Sequence, residues 1–409
     1  MQRAPRNTTM SPSAASDPPM LDGIKVLDLS TVVSGPMCTQ ILGDLGADVI
    51  KIETPTGDIT RMMGPPFIEG LTPIFAQVNR NKRGVVLDLK KPGAVEIVRR
   101  MARDADVVVE NFRPGVADRL GIGYDVLASD NERLVYVTIS GFGPTGPYVE
   151  QPAYDNVIQG LTGFTHVQGG SERPELVRCI VADKASALTA AYAVMGALFA
   201  RERTGAGRRV DVPMLDAYAA FMLPDVLGER TFPDHENTAP AMNMAEVHRA
   251  WKTADGHVVM MVIQDDQFAG LCRILEREDL IADERAANLI TRIMHAEALF
   301  GIIAEELAKR STAEIVERAR QHRVPVAPAN NLEAFICDPQ VVANSTLTEV
   351  DDPAAGRMRL LRNPLREASP PAPLRHRPPR HGEHSDEILA EHGYGPEEVA
   401  ALRETGAVR

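Results

Sequence analysis

The sequence predicts an α/β protein in which a doubly wound parallel sheet forms the larger part. Its 409 residues are 44% hydrophobic but only 5% aromatic, and this composition favours α/β layering over a β-sandwich. Short β-branched runs alternate with segments of helical spacing between residues 21 and 140. Such strand–helix–strand units join parallel strands by right-handed crossovers. The chain is also too long for one ordinary core, so we expect a second domain.

The elements of the larger part follow in order. "GIKVLDLS" predicts the first strand, and "GPMCTQILGDLGA" predicts a helix with Met37, Ile41 and Leu45 on one face. Gly46 is placed to end this helix at its C′ position. The later strands and one further helix are predicted at 48–53, 85–89, 93–103, 106–112 and 134–140. We therefore assign residues 21–224 to one large domain.

The second unit is expected at 225–330, where a polar, Pro-containing passage (231–247) ends the alternation of strands and helices. "AWKTADGHVVMMVI" predicts a β-hairpin that turns at Ala-Asp-Gly. Helices are predicted around 266–276, 292–308 and 312–321. The Pro-rich stretch at 369–387 predicts an extended arm laid over a surface, and "GPEEVAALRETG" predicts a terminal helix. Residues 1–20 have no apolar centre and predict a disordered leader.

Composition also limits the possible functions. The formal net charge of −12 argues against nucleic acid as a partner, because broad nucleic-acid binding needs a basic surface. No apolar run reaches the length of a membrane span. The four cysteines are scattered without a CxxC pair, so we expect neither a disulfide framework nor a metal site. A reducing cytoplasm fits this pattern best.

Doubly wound sheets bind ligands beyond the C-terminal ends of their strands. Those ends are predicted at 30–36, 53–58, 110–114 and 140–147, and all four contain Gly, Pro or polar residues. The loop after the first strand reads "STVVSGP" and has no GxGxxG, which disfavours an NAD or FAD site.

The sharpest polar cluster lies in "ENFRPGVADRLG" (110–121). Asn111, Phe112 and Arg113 directly follow a strand, and Arg119 lies in the next helix. An aromatic ring and guanidinium groups suit a nucleotide, since the ring contacts the base and the arginines pair with phosphates. A solvated arginine pair beside a buried Phe is the alternative, and both interpretations stay open at this point.

A second cluster places five basic residues around one predicted strand: Arg80, Lys82, Arg83, Lys90 and Lys91. In an acidic chain, this concentration beside a ligand-binding edge indicates phosphate binding. Ordinary solvated flanks of a strand explain the cluster equally well.

Asp183 stands at the start of the Ala-rich helical run at 180–204. As an N-cap, its carboxylate would bind the unpaired amides of the first turn. A carboxylate fixed in this way also suits a covalent nucleophile. Tyr154 and Asp155 are further polar candidates upstream, and no Ser-His-Asp, Cys-His or metal-ligand spacing is evident.

Five stretches of the chain resemble the family III CoA-transferases, a group that includes carnitine CoA-transferases, formyl-CoA transferases and α-methylacyl-CoA racemases. They read "LDGIKVLDLSTVVSGPMCTQILGDLGADVIKIE", "NKRGVVLDLKKP", "DVVVENFRPGVADRLGIGYD", "TGAGRRVDV" and "GEHSDEILAEHGY". The resemblance runs in order from Leu21 to Val408. It implies an enzyme (EC 2.8.3.-) that moves CoA from an acyl-CoA donor to a carboxylic acid, with no tightly bound cofactor.

The resemblance also implies an interlocked homodimer with a Rossmann-like large domain and a smaller α+β domain. Because both ends of the chain build the large domain in this family, residues 331–409 are expected to return to it. Linkers that wrap one subunit through the other would account for the Pro-rich arm.

In this family, the aspartate that opens the Ala-rich helix is the catalytic nucleophile, and that position is Asp183. The resemblance implies attack on the thioester, a mixed anhydride and then an aspartyl-CoA thioester. The implied role is compatible with a helix cap at the same residue.

The resemblance places CoA contacts at Val33, Ser34, Leu87 to Lys90, Asn111, Phe112, Arg113 and Arg119. Two departures matter. Thr54 stands where some transferases have a phosphate-binding arginine, so Lys90 or Arg119 is expected to take more of that role. Met63 lies near the position of the formyl-CoA enzyme's tryptophan, and no glycine-rich cover loop is evident around 242–248, which disfavours formyl-CoA:oxalate transfer.

Tyr154 stands where the racemases of this group have a histidine base. Because the ordinary pKa of a tyrosine is near 10, it suits proton abstraction at neutral pH poorly, and the transferase is favoured over a racemase. A CoA-binding protein without turnover is the third alternative. Met63, Tyr154 and Asp155 are expected in the substrate pocket, and the apolar, Met-rich residues at 62–67 and 240–250 predict an acid larger than formate or oxalate.

Overall fold

The structure, a computed structural model, describes residues 18–64, 68, 70–235, 247–365 and 374–409. These residues form two compact units. The large unit takes its described residues from Met1–Thr165, Leu176–Phe221 and Ser345–Arg409, and the small unit from His166–Glu175 and Met222–Asn344. The large unit therefore draws on both ends of the chain. The domain boundaries expected at 224/225 and 330/331 stay predictions.

A six-stranded parallel sheet forms the centre of the large unit and confirms the α/β class. Its strands are β1 (Lys25–Asp28), β2 (Asp48–Glu53), β3 (Lys82–Val86), β4 (Val107–Glu110), β5 (Val135–Ser140) and β6 (Arg208–Pro213). They lie in the order β3-β2-β1-β4-β5-β6, and all neighbours are parallel. The order reverses between β1 and β4, and such a switch point opens a crevice at the C-terminal edge of the sheet.

Two strands differ from the sequence prediction. β3 begins at Lys82 and not at residue 85, because Lys82 and Arg83 lie inside the strand with their charges paired. β6 is not predicted from the sequence, because charged residues interrupt its apolar pattern. Its first two residues are exposed at the edge of the sheet, where such side chains face solvent.

Helices alternate with these strands. Up to residue 222 they are α1 (Ser34–Asp44), α2 (Pro73–Val78), α3 (Pro92–Asp104), α4 (Val116–Leu120), α5 (Tyr124–Asp130), α6 (Asp155–Leu161), α7 (Phe164–Gly169), α8 (Val181–Thr204) and α9 (Met214–Met222). As predicted, Gly46 follows the end of α1, and its φ of 113° lies in the region that favours glycine. The long α8 packs against α1 and β5, so the starts of both helices lie near the crevice.

The small unit contains the predicted hairpin. β7 (Ala250–Lys252) pairs antiparallel with β8 (His257–Met260), and β9 (Val326–Pro328) completes a three-stranded sheet. The helices predicted here are also present, although the second is divided in two. The helices are α10 (Asp265–Ile274), α11 (Leu289–Met294), α12 (Ala296–Ala308), α13 (Thr312–His322), α14 (Leu332–Cys337) and α15 (Pro339–Ala343).

The C-terminal part of the chain rejoins the large unit. It contains the hairpin β10 (Leu347–Asp352) and β11 (Gly356–Leu361), then α16 (Ser385–Glu391) and α17 (Pro396–Glu404). Residues 374–409, here called the C-terminal segment, lie along β3. His384 donates its backbone N–H to the carbonyl of Gly84 (3.0 Å), and Arg409 donates to Val86 (3.3 Å). The segment therefore covers an edge strand that would otherwise expose unpaired backbone groups.

The Pro-rich arm is described only from residue 374 onward. Arg375 donates hydrogen bonds from its guanidinium to the carbonyls of Gly43, Gly46 and Ala47 (2.7–2.9 Å). This part of the arm is therefore fixed to the turn after α1. Residues 366–373 of the arm, and residues 1–17 of the expected leader, lie outside the described residues.

The basic cluster around β3 is largely structural, which corrects the phosphate interpretation for three of its members. Lys82 is fully buried and pairs with Asp28 at 2.8 Å. Arg80 pairs with Asp44 at 2.5 Å, and Arg83 with three carboxylates, Asp48, Glu387 and Glu391. Buried charges need such partners because desolvation is costly. Only Lys90 and Lys91 of the cluster remain exposed.

Within the described ranges, no helix combines the length and apolar character that a bilayer crossing requires. The same ranges contain no group of three or more His, Cys, Asp or Glu side chains arranged to hold a metal ion.

Candidate active site

Asp183 lies in the first turn of α8, at the C-terminal edge of the parallel sheet. The helix begins at Val181, and its N-cap residue, Ile180, makes no side-chain cap bond. Asp183 is thus the third helical residue and not the cap, which corrects the sequence interpretation. The side chain of Asp183 is 7% exposed, so its carboxylate is held largely away from water.

Asp155, the first residue of α6, supplies the missing cap. Its Oδ1 accepts the backbone N–H groups of Ala182 (2.7 Å) and Asp183 (3.2 Å). These are donors that a helix N-terminus leaves unpaired. Asp155 therefore fixes the backbone of Asp183 from outside α8, and its carboxylate is not available to line a substrate pocket.

Gln159 holds Asp155 in place. Its Nε2 donates to Asp155 Oδ2 at 2.6 Å and also approaches the carbonyls of Val177 and Cys179. Its Oε1 accepts the N–H of Val177 at 2.9 Å. Both side chains are more than nine-tenths buried, so the chain that leads into α8 is fixed along its length.

The pKa of Asp183 is raised to about 6. Burial is the largest cause, since it disfavours the charged form, and the negative charge of Asp155 adds to it. Hydrogen bonding to the hydroxyl and backbone N–H of Ser34 acts in the opposite direction. Asp183 is consequently a stronger base than an ordinary aspartate, yet it is still ionised at neutral pH.

Ser34 reaches Asp183 from the loop after β1, which its neighbours hold from both sides. Asn111, after β4, accepts the N–H of Thr31 (2.9 Å) and donates to the Thr31 carbonyl (2.7 Å). Asp58, after β2, accepts the N–H of Val32 at 3.2 Å. Val32 has a φ of 70°, a strained conformation for a β-branched residue. These contacts maintain the strained loop with Ser34 at the start of α1.

A cavity of about 270 Å³ surrounds this site. It brings together Asp183, Ser34, Asn111, Phe112, Arg113 and Tyr154 among its lining residues. Tyr154 is 70% exposed, so it lies at the mouth of the cavity. Within the described part of the chain, no histidine lines this cavity. The cavity is the crevice expected at the switch point between β1 and β4.

Other predicted site residues lie elsewhere. Val33 and Leu87 are buried, with 2% and 0% exposed surface, so neither residue offers surface to a ligand here, and the predicted CoA contacts at both positions stay predictions. Lys90 and Arg119 are exposed. Met63 is exposed as well and does not line the Asp183 cavity. Residues 65–67 and 236–246, which include much of the predicted acid pocket, lie outside the described residues.

The exposed basic residues differ from the structural ones in their partners. Across the described ranges, neither Lys90 nor Arg119 forms an ion pair, and the same holds for Arg113. Arg80, Lys82 and Arg83 are all paired with carboxylates. The unpaired cations are therefore the ones available to bind the phosphates of a ligand.

Glu110 is a candidate that sequence reasoning misses. It ends β4 with 4% exposed surface, and its Oε2 accepts the N–H of Phe112 at 2.7 Å. Burial raises its pKa to about 7. Glu110 also lines a second cavity, of about 210 Å³, which shares Arg113, Pro114 and Ser140 with the first. The sequence signal for Glu110 is a carboxylate directly after the apolar run "VVV". In the structure, Glu110 holds the Asn111–Arg113 turn in place.

Comparisons with known proteins identify a family model and several named relatives that match this chain. A family model described as "CoA-transferase family III" matches residues 21–385. An "Acyl-CoA transferase" from Fusarium pseudograminearum is 36% identical, with 98% of this chain and 91% of the relative covered. A "Succinate--glutarate CoA-transferase" from Agrobacterium fabrum is 34% identical, with coverages of 91% and 96%.

A solved structure supports the fold. The crystal structure of a CaiB/BaiF family protein from Brucella suis matches with a TM-score of 0.80 and 32% sequence identity. The match covers 92% of this chain and 100% of the other. The similarity to this solved structure therefore extends over nearly the whole chain.

Proposed function

This chain belongs to CoA-transferase family III, and we propose that it moves CoA from an acyl-CoA donor to a carboxylic acid through a covalent intermediate on Asp183. One observation carries the proposal. A carboxylate with a pKa of about 6 lies in the switch-point cavity, on a residue whose backbone Asp155 fixes, and beside Ser34 at the start of α1. Such a group is ionised, poorly solvated and positioned, as covalent catalysis requires.

The proposed reaction has four balanced steps. An oxygen of Asp183 attacks the donor thioester carbonyl, and the C–S bond breaks to give a mixed anhydride and CoA thiolate. The thiolate then attacks the aspartyl carbonyl, which releases the donor acid as a carboxylate and leaves an aspartyl-CoA thioester. The acceptor carboxylate attacks the aspartyl carbonyl of this thioester, and the C–S bond breaks to give a second mixed anhydride and free CoA thiolate. The thiolate finally attacks the acceptor carbonyl and regenerates Asp183.

The site favours these steps in two ways. The raised pKa makes the Asp183 carboxylate a better nucleophile than a solvated aspartate, since nucleophilic reactivity rises with basicity. Ser34, the first residue of α1, lines the cavity. Helix N-termini stabilise negative charge, which develops on the carbonyl oxygen during each attack.

The acceptor is proposed to be an acid larger than formate or oxalate. The related Agrobacterium fabrum protein is named for succinate and glutarate, and the cavity of about 270 Å³ leaves room for a chain of several carbons beside the thioester. A mass-spectrometric screen of CoA exchange should test this directly. We expect exchange with four- and five-carbon acids; exchange confined to formyl-CoA and oxalate would contradict the size argument.

The alternative function is racemisation of a 2-methylacyl-CoA, and an isotope assay separates it from CoA transfer. Proton abstraction needs a positioned base, but Tyr154 stands at the mouth of the cavity where a histidine would be needed. We therefore expect the α-position of a 2-methylacyl-CoA to stay unlabelled in deuterium oxide while CoA is exchanged. Rapid α-deuteration without CoA exchange would favour the racemase.

Arg119 is proposed to bind a phosphate of CoA, because it is exposed and has no carboxylate partner within the described chain. Such a contact, far from the thioester, binds ground and transition states alike. Arg119→Ala should raise KM for acyl-CoA about tenfold and leave kcat nearly unchanged. Arg103→Ala, at an exposed arginine of α3, is the control and should change neither constant. An unchanged KM in Arg119→Ala would remove Arg119 from the site.

A homodimer is proposed as well, and α8 provides the argument. Leu188, Tyr192, Met195 and Phe199 follow helical spacing and form an apolar stripe with 37–62% of each residue exposed. A stripe of this kind on a long helix indicates a missing partner surface, and a second copy of the chain is the partner proposed.

Charge on this stripe should separate the subunits. Tyr192→Glu combined with Phe199→Glu would place two carboxylates on it, and desolvating them opposes association. Light scattering should then report half of the wild-type mass. Thr204→Glu, at the exposed end of the same helix, is the control and should leave the mass unchanged. A monomeric wild-type protein would contradict the proposal.

A further inference from the structure

The turn after β2 is contacted by two basic side chains from the far end of the sequence. His381 lies 3.0 Å from the carbonyl oxygen of Thr54 through its Nε2, which must donate because a carbonyl only accepts. Arg409 donates from Nη1 to the carbonyl of Pro55 at 3.2 Å. The C-terminal segment therefore brings two basic side chains to the C-terminal edge of the parallel sheet.

Arg409 has donors to spare. A guanidinium group has five N–H donors, and the single contact with Pro55 uses one of them. Within the described ranges Arg409 makes no ion pair. The neighbouring arginines differ, because Arg377 and Arg380 of the same segment both pair with carboxylates. Arg409 is thus an unpaired cation, whereas Arg377 and Arg380 are held in ion pairs.

The turn itself offers no free cation. Residues 54–57 read Thr-Pro-Thr-Gly. Arg61, in the short helical turn that follows, binds Glu53 through Nε and Nη2 and the carbonyl of Gly70 through Nη1. Any positive charge at this end of β2 must come from elsewhere, and Arg409 supplies it.

Arg409 and His381 also lie close to the turn that follows the neighbouring strand, β3. Asp88, just after β3, donates its backbone N–H to the carbonyl of Ala407 at 3.0 Å, and Leu87 bridges to Val408. The turn that presents Lys90 is therefore joined to the chain just before Arg409. The Asp88 carboxylate accepts the backbone N–H of Lys90 (3.1 Å) and is a negative group beside these cations.

We propose that Arg409 binds a phosphate group of CoA, and that His381 assists by holding the turn after β2 in place. CoA carries a diphosphate and a ribose 3′-phosphate, and arginine suits phosphate because its planar fork forms two parallel hydrogen bonds. This inference rests on the proposed function only in requiring that the CoA chain extends from the Asp183 cavity along the sheet edge toward β3. The C-terminal segment then has two roles, since it covers β3 and completes the nucleotide site.

A truncated ligand tests this inference, because pantetheine lacks both the diphosphate and the nucleotide. We expect Arg409→Ala to weaken CoA binding three- to tenfold in calorimetry, and to raise KM for the acyl-CoA by the same factor, with kcat unchanged. The acyl-pantetheine thioester should be used equally well by Arg409→Ala and by wild type. Arg409→Lys should restore part of the loss, and His381→Gln should show a smaller one.

The controls separate a binding role from a structural one. Arg403→Ala, at an ion-paired arginine of the same segment, should bind CoA like wild type. If Arg409 only fixed the turn after β2, its loss would impair both thioesters equally, and that result would overturn the inference, as would unchanged CoA binding. Calorimetry needs no turnover, so a wild-type protein that binds CoA without transferring it would contradict the proposed function and leave this test valid.

Discussion

Asp183→Asn is expected to abolish CoA transfer and yet to make the folded protein more stable at pH 8. The nucleophilic oxygen is lost, so kcat should fall by roughly 10³-fold or more. The pKa of Asp183 is about 6 in the folded chain and 3.8 ordinarily. Its contribution to stability is therefore fully present below pH 3.8 and lost as pH rises through 6. The neutral amide avoids this loss.

Chemical denaturation at two pH values measures the effect. Two pKa units correspond to about 3 kcal/mol, so the free energy of unfolding of Asp183→Asn should exceed that of wild type by up to this amount at pH 8. Near pH 4 the difference should be small, because wild-type Asp183 is then mostly protonated in the folded chain. Near-wild-type turnover in Asp183→Asn, or lower stability at pH 8, would contradict the assigned role and environment.

Substitutions of Asp155 should separate its mechanical effect from its electrostatic effect. Asp155→Ala removes the acceptor for the N–H groups of Ala182 and Asp183, and two buried donors lose their partner. We expect a loss of about 1–3 kcal/mol in stability. Activity should fall by about 10²-fold, since small displacements of a catalytic group have effects of this size.

Asp155→Asn keeps an acceptor oxygen but removes the charge. Because the charge of Asp155 raises the pKa of Asp183, its removal should lower that pKa. The acid limb of the pH profile of kcat/KM should move to lower pH in Asp155→Asn. Asp386→Asn, in the first turn of α16, is the control and should leave the profile in place. A limb that moves upward, or stays fixed, would show that Asp155 does not act on Asp183 through its charge.

Local patterns in the sequence predict much of the sheet, and long-range contacts explain where they do not. β1, β2, β4 and β5 are apolar runs that end in polar residues, so they lie close to their predicted positions. Lys82 looked like a solvated flank, but Asp28, 54 residues away, pairs with it inside the protein. No local pattern reveals a partner at that distance, and the predicted start of β3 is wrong for this reason.

The same limit applies to the candidate site. Asp183 stands out from the sequence because of its place before an Ala-rich helix, but its interpretation as a cap is wrong. The cap is Asp155, which lies 28 residues earlier. The left-handed conformation of Val32 has no sequence signal, since valine is disfavoured there. Only the folded chain brings Asp58 and Asn111 to both sides of that loop.

The central claim is that Asp183 forms covalent acyl intermediates during turnover. The most direct measurement is hydroxylamine trapping with an acyl-CoA and an acceptor acid, followed by mass spectrometry of the peptides. Anhydrides and thioesters of aspartate both react with hydroxylamine, so we expect a hydroxamate on Asp183 in the wild type and none in Asp183→Asn. Continued CoA transfer with no hydroxamate on Asp183, or with the label on another carboxylate, would contradict the claim.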